Sequence, residues 1–208
     1  MIPFDALVAQ CAPQVAPKTM AAIVRVESGG NPLAMWNNTT DQRILPTTLQ
    51  QAQAYLAQAM AAGQKVDVGI AQVDTENFAA YGLNLDNAFD ACTNLHVGAE
   101  ILAANYGQAV ARFGPGQAAL YHAFEGYNSG HLWGDSHYAN TVLRSAGIPV
   151  YVQSSGRMVF RKLAYVLTWA SPISDAKPSG SVAKTVAAAP DTSSAMVLRQ
   201  GAAYVMRW

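Results

Sequence analysis

The stretch from Pro17 to Pro32, PKTMAAIVRVESGGNP, constrains the fold more than any other part of this chain. Met20, Ile23, Val24 and Glu27 recur at i, i+3, i+4 and i+7, so they share one face of a helix. Pro17 suits the first helical position, where a missing N–H costs nothing. Gly29 or Gly30 can adopt the left-handed conformation that ends a helix, and Asn31-Pro32 prevents its continuation. The helix is delimited at both ends, and its apolar stripe finishes on a carboxyl group. Arg25 sits roughly 200° around the helix from Glu27, at ~100° per residue, and is badly placed to pair with it.

A carboxyl group so placed has two readings. An exposed acid at a helix end is the commonplace one. The other is an acid buried with Met20 and Ile23, whose ionised form loses solvation and whose pKa rises. An ordinary Glu with pKa ~4.3 is well under ~1% protonated at neutral pH. Raising it by about two units takes ~2.7 kcal/mol and yields a usable proton donor for a leaving-group oxygen.

The rest of the chain reads as helices joined by short connections. Residues 33–47 are turn-rich, with room for a short hairpin, and 48–62 form a helix with Leu49, Gln53, Leu56 and Met60 on one stripe. In KVDVGIAQV, Val66, Val68 and Ile70 alternate as in a strand, broken at Gly69. Asp74 caps a short helix through Tyr81, ended by Gly82, and Asp90 caps a long helix over about 91–107 carrying Leu95, Ile101 and Leu102. A helix near 116–126 precedes the turn GYNSG, and a last one spans 136–146. The expected fold is mainly α, one helical core with a small extended element. Its catalytic domain is expected over residues 1–150. Residues 151–170 form a hydrophobic extension of uncertain structure, in which PVYVQSS looks strand-like and MVFRKLAYVLTWA suits strand or helix. Residues 171–208 form an Ala/Ser/Pro-rich linker and tail with a hydrophobic end. Such an end suits docking; a frayed terminus reads at least as well.

Composition narrows the partners. Thirteen Lys and Arg balance thirteen Asp and Glu, and charged residues make up only 12% of the chain. No basic face speaks for nucleic acid. A low-charge surface rich in Ala, Gly, Gln and Asn suits a neutral polymer such as a glycan. MIPFDALVAQC shows neither the basic start nor the apolar core of a secretory signal, and the greasiest run, 158–170, is too short to span a bilayer. Cys11 and Cys92 fit no zinc or CxxC spacing. They read equally as one disulfide closing a long loop or as two separate buried thiols. His131 and His137 flank Asp135 without a third well-spaced ligand, so neither a metal nor another cofactor is expected.

Two further motifs accompany Glu27. Gly69-Ile70-Ala71-Gln72 combines a glycine that permits close backbone approach with an amide able to fix a sugar or orient a carboxyl group. In AFEGYNSG, Leu120, Phe124 and Tyr127 fall on one helical side, so the phenol needs a buried partner, and Asn128, Ser129 and Gly130 make a polar turn. Each also has a plain reading: a Gln facing water, and a core Tyr before an ordinary helix end.

Taken in order, Glu27-Ser28, Gly69-Ile70-Ala71-Gln72 and Gly126-Tyr127-Asn128-Ser129-Gly130 resemble the lytic transglycosylases of the lysozyme-like superfamily. Those enzymes carry a catalytic Glu followed by Ser, a G-[LI]-x-Q segment and an [AG]-Y-N-x-G segment; Ala71 stands where Met is usual. CAPQVAPKTMAAIVRVESGGNP and YGLNLDNAFDACTNLHVGAEIL are similar to one branch, the peptidoglycan-degrading component of type IV secretion and conjugation systems. The similarity covers about residues 5–146.

The resemblance implies a periplasmic enzyme that cuts the β-1,4 bond between N-acetylmuramic acid and N-acetylglucosamine, releasing 1,6-anhydro ends. Glu27 would be both acid and base, Tyr127 would hydrogen-bond it, and Gln72 would contact substrate beside it. Ser28 would bind the glycan or its peptide, with helix capping an equal alternative; Asn128 would fix the turn or reach a sugar. Trp36 and Tyr55 are candidate sugar platforms, though core packing explains both. Secretion-channel subunits would be the protein partners, through the tail if it docks. No second acid sits at a family nucleophile position, and Asp74 reads as a cap. One acid suffices if the substrate supplies its own nucleophile.

Overall fold

The computed structural model describes residues 4–148, 150–152 and 158–160. Seven α-helices occur there, α1 (Phe4–Cys11), α2 (Pro17–Glu27), α3 (Leu49–Ala61), α4 (Phe78–Tyr81), α5 (Ala91–Phe113), α6 (Gln117–Ser129) and α7 (Ser136–Ser145), with a 3-10 turn at Thr75–Asn77. The strands are β1 (Met35–Asn37), β2 (Gln42–Ile44), β3 (Val66–Val68) and β4 (Val73–Asp74), with a separate pair, β5 (Val150–Val152) and β6 (Met158–Phe160). Helix dominates, as expected, and among the described residues no helix is long and apolar enough to cross a membrane.

The core is built around α5. Leu95, Ala99 and Leu102 are fully buried along it, and they meet Met20 and Ile23 of α2 and Leu120 and Phe124 of α6 in one apolar cluster. Asp90 caps α5 by accepting from Thr93 N at 2.8 Å. The helix runs to Phe113, six residues past the expected end. Gly107 only weakens a helix by about 1 kcal/mol among good helix formers, and Gly114, at φ 75°, is the residue that stops it.

A disulfide joins Cys11 at the end of α1 to Cys92 in the first turn of α5, across 81 residues of sequence. It closes a loop worth about 4–5 kcal/mol of unfolded-state entropy in the chain-entropy model. This decides between the two readings of these thiols.

The small sheet has the order β2-β1-β3-β4, all antiparallel. Ile44, Met35, Val68 and Val73 stand opposite one another in a row, the last three buried against the helices. Arg43, Trp36, Asp67 and Asp74 form the matching row on the other face. The hairpin expected within 33–47 is β1–β2.

Two local expectations are corrected. The buried stripe of α3 is Ala52, Leu56 and Ala59, whereas Leu49 and Met60 are exposed. The face that α3 turns to the core carries Leu56 between two alanines, and the larger Leu49 and Met60 lie off it. Next, GYNSG is not a turn: α6 continues through it and closes at Gly130, φ 72°. Gly126 lies inside the helix and makes room for Asn105 of α5; a Cβ there would lie 2.6 Å from the Asn105 Oδ1. The strand expected in PVYVQSS is present at Val150–Val152, pairing with Met158–Phe160. Residues 161–208, including the expected linker and tail, lie outside the described residues.

Candidate active site

Helix α2 ends as its sequence requires, and it ends inside the protein. Glu27 is only 5% exposed, packed with the apolar face of its own helix. Burial is the main cause that lifts its pKa from 4.5 to about 8; the nearby Asp135 carboxylate adds to the rise and a hydrogen bond from Tyr138 opposes it. About nine-tenths of the molecules therefore carry this proton at pH 7.

The phenol that holds Glu27 belongs to Tyr138, whose Oη donates to the Glu27 Oε1. The resemblance assigned that bond to Tyr127. Tyr127 instead donates to the backbone carbonyl of Ala71 at 2.7 Å, while lying close enough to feel the charges of Glu27 and Asp67. Burial first, then Glu27, pushes both phenols well above their usual range, so both remain O–H donors.

Asn128 and Asp135 set Tyr138 in place. The Asn128 Nδ2 donates to the Asp135 Oδ2 at 2.6 Å, and Asp135 caps α7 by accepting from Tyr138 N at 3.3 Å. Asn128 thus ties the α6–α7 turn, one of the two roles expected of it. Sequence spacing could have exposed Tyr138: it shares a face of α7 with the buried Val142, four residues on.

Ser28 and Gln72 turn to the backbone. The Ser28 Oγ donates to Ile70 O at 2.7 Å and accepts from Gly30 N at 3.1 Å, so it welds the end of α2 to the Gly69–Gln72 loop. The Gln72 Nε2 donates to Ala34 O at 2.9 Å and Gly69 O at 2.7 Å. This pins a residue held at φ 50°, a region that bulky side chains enter at a cost. Ser28 stands at the C-cap of α2, where its N–H donates to Val24 O at 3.1 Å.

Asn94, on α5, had no signal in the sequence. It is fully buried; its Oδ1 accepts from Ala71 N at 2.8 Å, and its Nδ2 donates to Val68 O at 2.9 Å and Ala88 O at 3.0 Å. The Gly69 position exists for this contact, since a Cβ there would fall 2.5 Å from the Asn94 Nδ2. Gly98 does the same for the next layer: its Cβ would lie 2.6 Å from the Ala71 Cβ and 2.8 Å from the Tyr127 Oη.

A second carboxyl group enters the same neighbourhood. Burial, then the facing Asp74, pushes Asp67 well above the usual carboxylate range; Asn38 opposes this and Glu27 adds to it. Glu125, by contrast, is buried against His122, at 2.6 Å from its Nδ1.

One protonated, buried Glu held by a phenol and backed by a rigid loop is equipped to give a proton and take one back. Comparison with known proteins agrees with the three motifs. The family model for the transglycosylase SLT domain matches residues 6–137. The chain belongs to the SLT transglycosylase family. Its curated relatives include the type IV secretion system protein virB1 of Brucella abortus biovar 1 (strain 9-941), 40% identical over 74% of this chain and 62% of that protein. Protein virB1 of Agrobacterium fabrum (strain C58 / ATCC 33970) is 36% identical over 61% of this chain and 51% of its own length. The chain thus spans less than two thirds of these relatives. No solved structure matches it. SLT membership accords with the mainly helical, lysozyme-like domain described above.

Proposed function

We propose that the protein is a peptidoglycan lytic transglycosylase that opens the cell wall locally for a type IV secretion or conjugation machine. The observation that carries this reading is Glu27, buried, protonated at neutral pH and hydrogen-bonded by Tyr138. In the first step Glu27 donates its proton to the glycosidic oxygen between N-acetylmuramic acid and N-acetylglucosamine, and the C–O bond breaks as positive charge builds on the muramyl C1. The resulting carboxylate is stabilised by the Tyr138 O–H, a charge-assisted bond stronger than the neutral one. In the second step it takes the proton of the muramyl C6 hydroxyl, whose oxygen closes on C1 to form the 1,6-anhydro ring. The nucleophile is already tethered to its target, which removes the entropy loss of recruiting water. A pKa near the working pH serves both steps.

Asp67 is the observation that favours a second reading, a muramidase that uses water. A general base must be ionised, and burial beside Asp74 raises the Asp67 pKa, which works against that role. The lytic reading is therefore stronger. The Cys11–Cys92 disulfide supports action in an oxidising compartment outside the cytoplasm, where peptidoglycan lies. The secretion-system assignment and channel subunits as partners rest on the likeness to the virB1 proteins.

The test is digestion of purified sacculi followed by mass spectrometry. Anhydromuramyl ends from the wild type and none from Glu27→Gln are expected; an active Glu27→Gln protein sinks the mechanism, and reducing ends establish hydrolysis. Pull-down of channel subunits with and without residues 171–208 tests docking through the tail, which is refuted by binding that does not depend on it.

A further inference from the structure

Glu125 is a buried acid that the reaction above leaves unused. It is only 3% exposed on α6, and a carboxyl group taken out of water needs partners that offset its lost solvation. Two are present. The His122 Nδ1 lies 2.6 Å from its Oε2, and the backbone N–H of Asp135 donates to the same carboxyl group. The first partner stands one turn back on the same helix. The second begins α7, on the far side of the connection that follows Gly130.

That connection folds back onto the end of α6 and is tied there at several points. The Ser129 Oγ donates to Glu125 O at 2.7 Å and accepts from His131 N at 3.2 Å. Leu132 packs over Gly126, where a Cβ would lie 3.1 Å from its Cδ2. The Arg112 guanidinium, near the end of α5, stands 4.1 Å from the centre of the exposed Trp133 ring, and Phe113 stacks on His122 at 4.1 Å. These contacts hold the outside of the connection. Glu125 holds its last residue from within, and that residue, Asp135, accepts from Asn128 Nδ2 at 2.6 Å and from Tyr138 N at 3.3 Å. Tyr138 in turn donates to Glu27.

We propose that Glu125 is a positioning residue for the catalytic acid: through the Asp135 backbone it fixes where α7 begins, and so keeps the Tyr138 O–H aimed at Glu27. The proposal rests on the proton-transfer reading of Glu27 given above. A phenol in the first turn of a helix moves with the start of that helix, and a hydrogen bond weakens steeply with misalignment. The titratable groups facing Glu125 are His122, Asp135 and Tyr121; those facing Glu27 are Tyr138, Asp135, Tyr127 and Asp67. The Tyr138 bond favours the Glu27 carboxylate, so loosening it leaves the proton on Glu27 to higher pH. The Asp135 carboxylate acts on Glu27 in the opposite sense and more weakly, so its displacement does not reverse the sign. Removing a negative charge at Glu125 acts directly the other way, lowering the Glu27 pKa. A rise therefore marks geometry.

The experiment follows the Glu27 carboxyl carbon by NMR in the full chain labelled at Glu, its signal assigned by its absence from Glu27→Gln. This readout does not depend on catalysis. Glu125→Ala is expected to raise the Glu27 titration midpoint by roughly half a pH unit to one. Glu125→Gln, which keeps the shape and an oxygen for Asp135 N, is expected to restore the parental value. In a Tyr138→Phe background the further change Glu125→Ala should add nothing, because both act on one contact. On soluble glycan strands Glu125→Ala should lower kcat roughly threefold to tenfold with KM nearly unchanged. Circular dichroism establishes that each variant is folded. Should Glu125→Ala fail to fold, His122→Phe takes its place: it removes one partner of Glu125, retains an aromatic ring beside Phe113, and is expected to move the midpoint in the same direction. A midpoint unmoved or lowered in the folded variant, failure of Glu125→Gln to restore it, or full additivity with Tyr138→Phe overturns the proposal. A raised midpoint in a protein that releases no muropeptide removes the catalytic reading instead, and leaves the coupling of Glu125 to Glu27 standing.

Discussion

Replacing Glu27 with Gln should make the protein more stable, and by an amount that grows with pH. In the unfolded chain Glu27 ionises near pH 4.5, whereas in the fold it keeps its proton to about pH 8. The folded state binds the extra proton between those values. Its contribution is whole below about pH 4.5, declines as pH rises, and is gone once pH passes about 8. The loss amounts to roughly 5 kcal/mol at the alkaline end and about 3 kcal/mol by pH 7. Gln has nearly the same shape, keeps an oxygen to accept from Tyr138, and never ionises. Thermal unfolding of both proteins between pH 4.5 and 8.5 checks this. At pH 7 the Gln variant is expected to have gained about 6–12 °C over its margin at pH 4.5, on ~2–4 °C per kcal/mol for a chain of this size. Parallel melting curves would refute the reasoning, because they would mean that Glu27 ionises as easily in the fold as out of it. Stability gained by deleting the acid that the reaction needs is the trade-off expected of a strained functional group.

Tyr138→Phe removes the donor that favours the Glu27 carboxylate, so the Glu27 pKa should rise further. The alkaline limb of the pH–rate profile then moves to higher pH, while kcat falls roughly tenfold or more for loss of orientation. Asn94→Leu strands Ala71 N, Val68 O and Ala88 O; a loss of about 3 kcal/mol in urea unfolding is expected, with little residual activity. Breaking the Cys11–Cys92 bond by paired Ser substitution should cost about 4 kcal/mol, read as a drop in melting temperature that reductant reproduces in the wild type.

How much of this was legible beforehand depends on the range of the physics involved. Helix α2, its stops and the stripe ending on Glu27 follow from periodicity and from Pro and Gly at the ends, all within a dozen residues. The caps at Asp74 and Asp90 and the three motifs are equally local, and the motifs were enough for the family. On α3, hydrophobicity ranks Leu49 and Met60 above Ala52 and Ala59, whereas the face that the fold buries is the one carrying the alanines. Gly126 reads locally as a helix breaker, yet α6 runs on through it, and the missing Cβ serves Asn105 of another helix.

The sequence alone determined that this chain would be mostly helical and would carry an acid on a greasy stripe, because both depend on near neighbours. Only the tertiary structure decided which phenol holds that acid, since Tyr138 and Glu27 are 111 residues apart. It likewise decided that Ser28, Gln72 and Asn94 brace backbone and that Cys11 meets Cys92. A side chain's polarity shows that it needs a partner; where the partner comes from is settled when helices and strands pack.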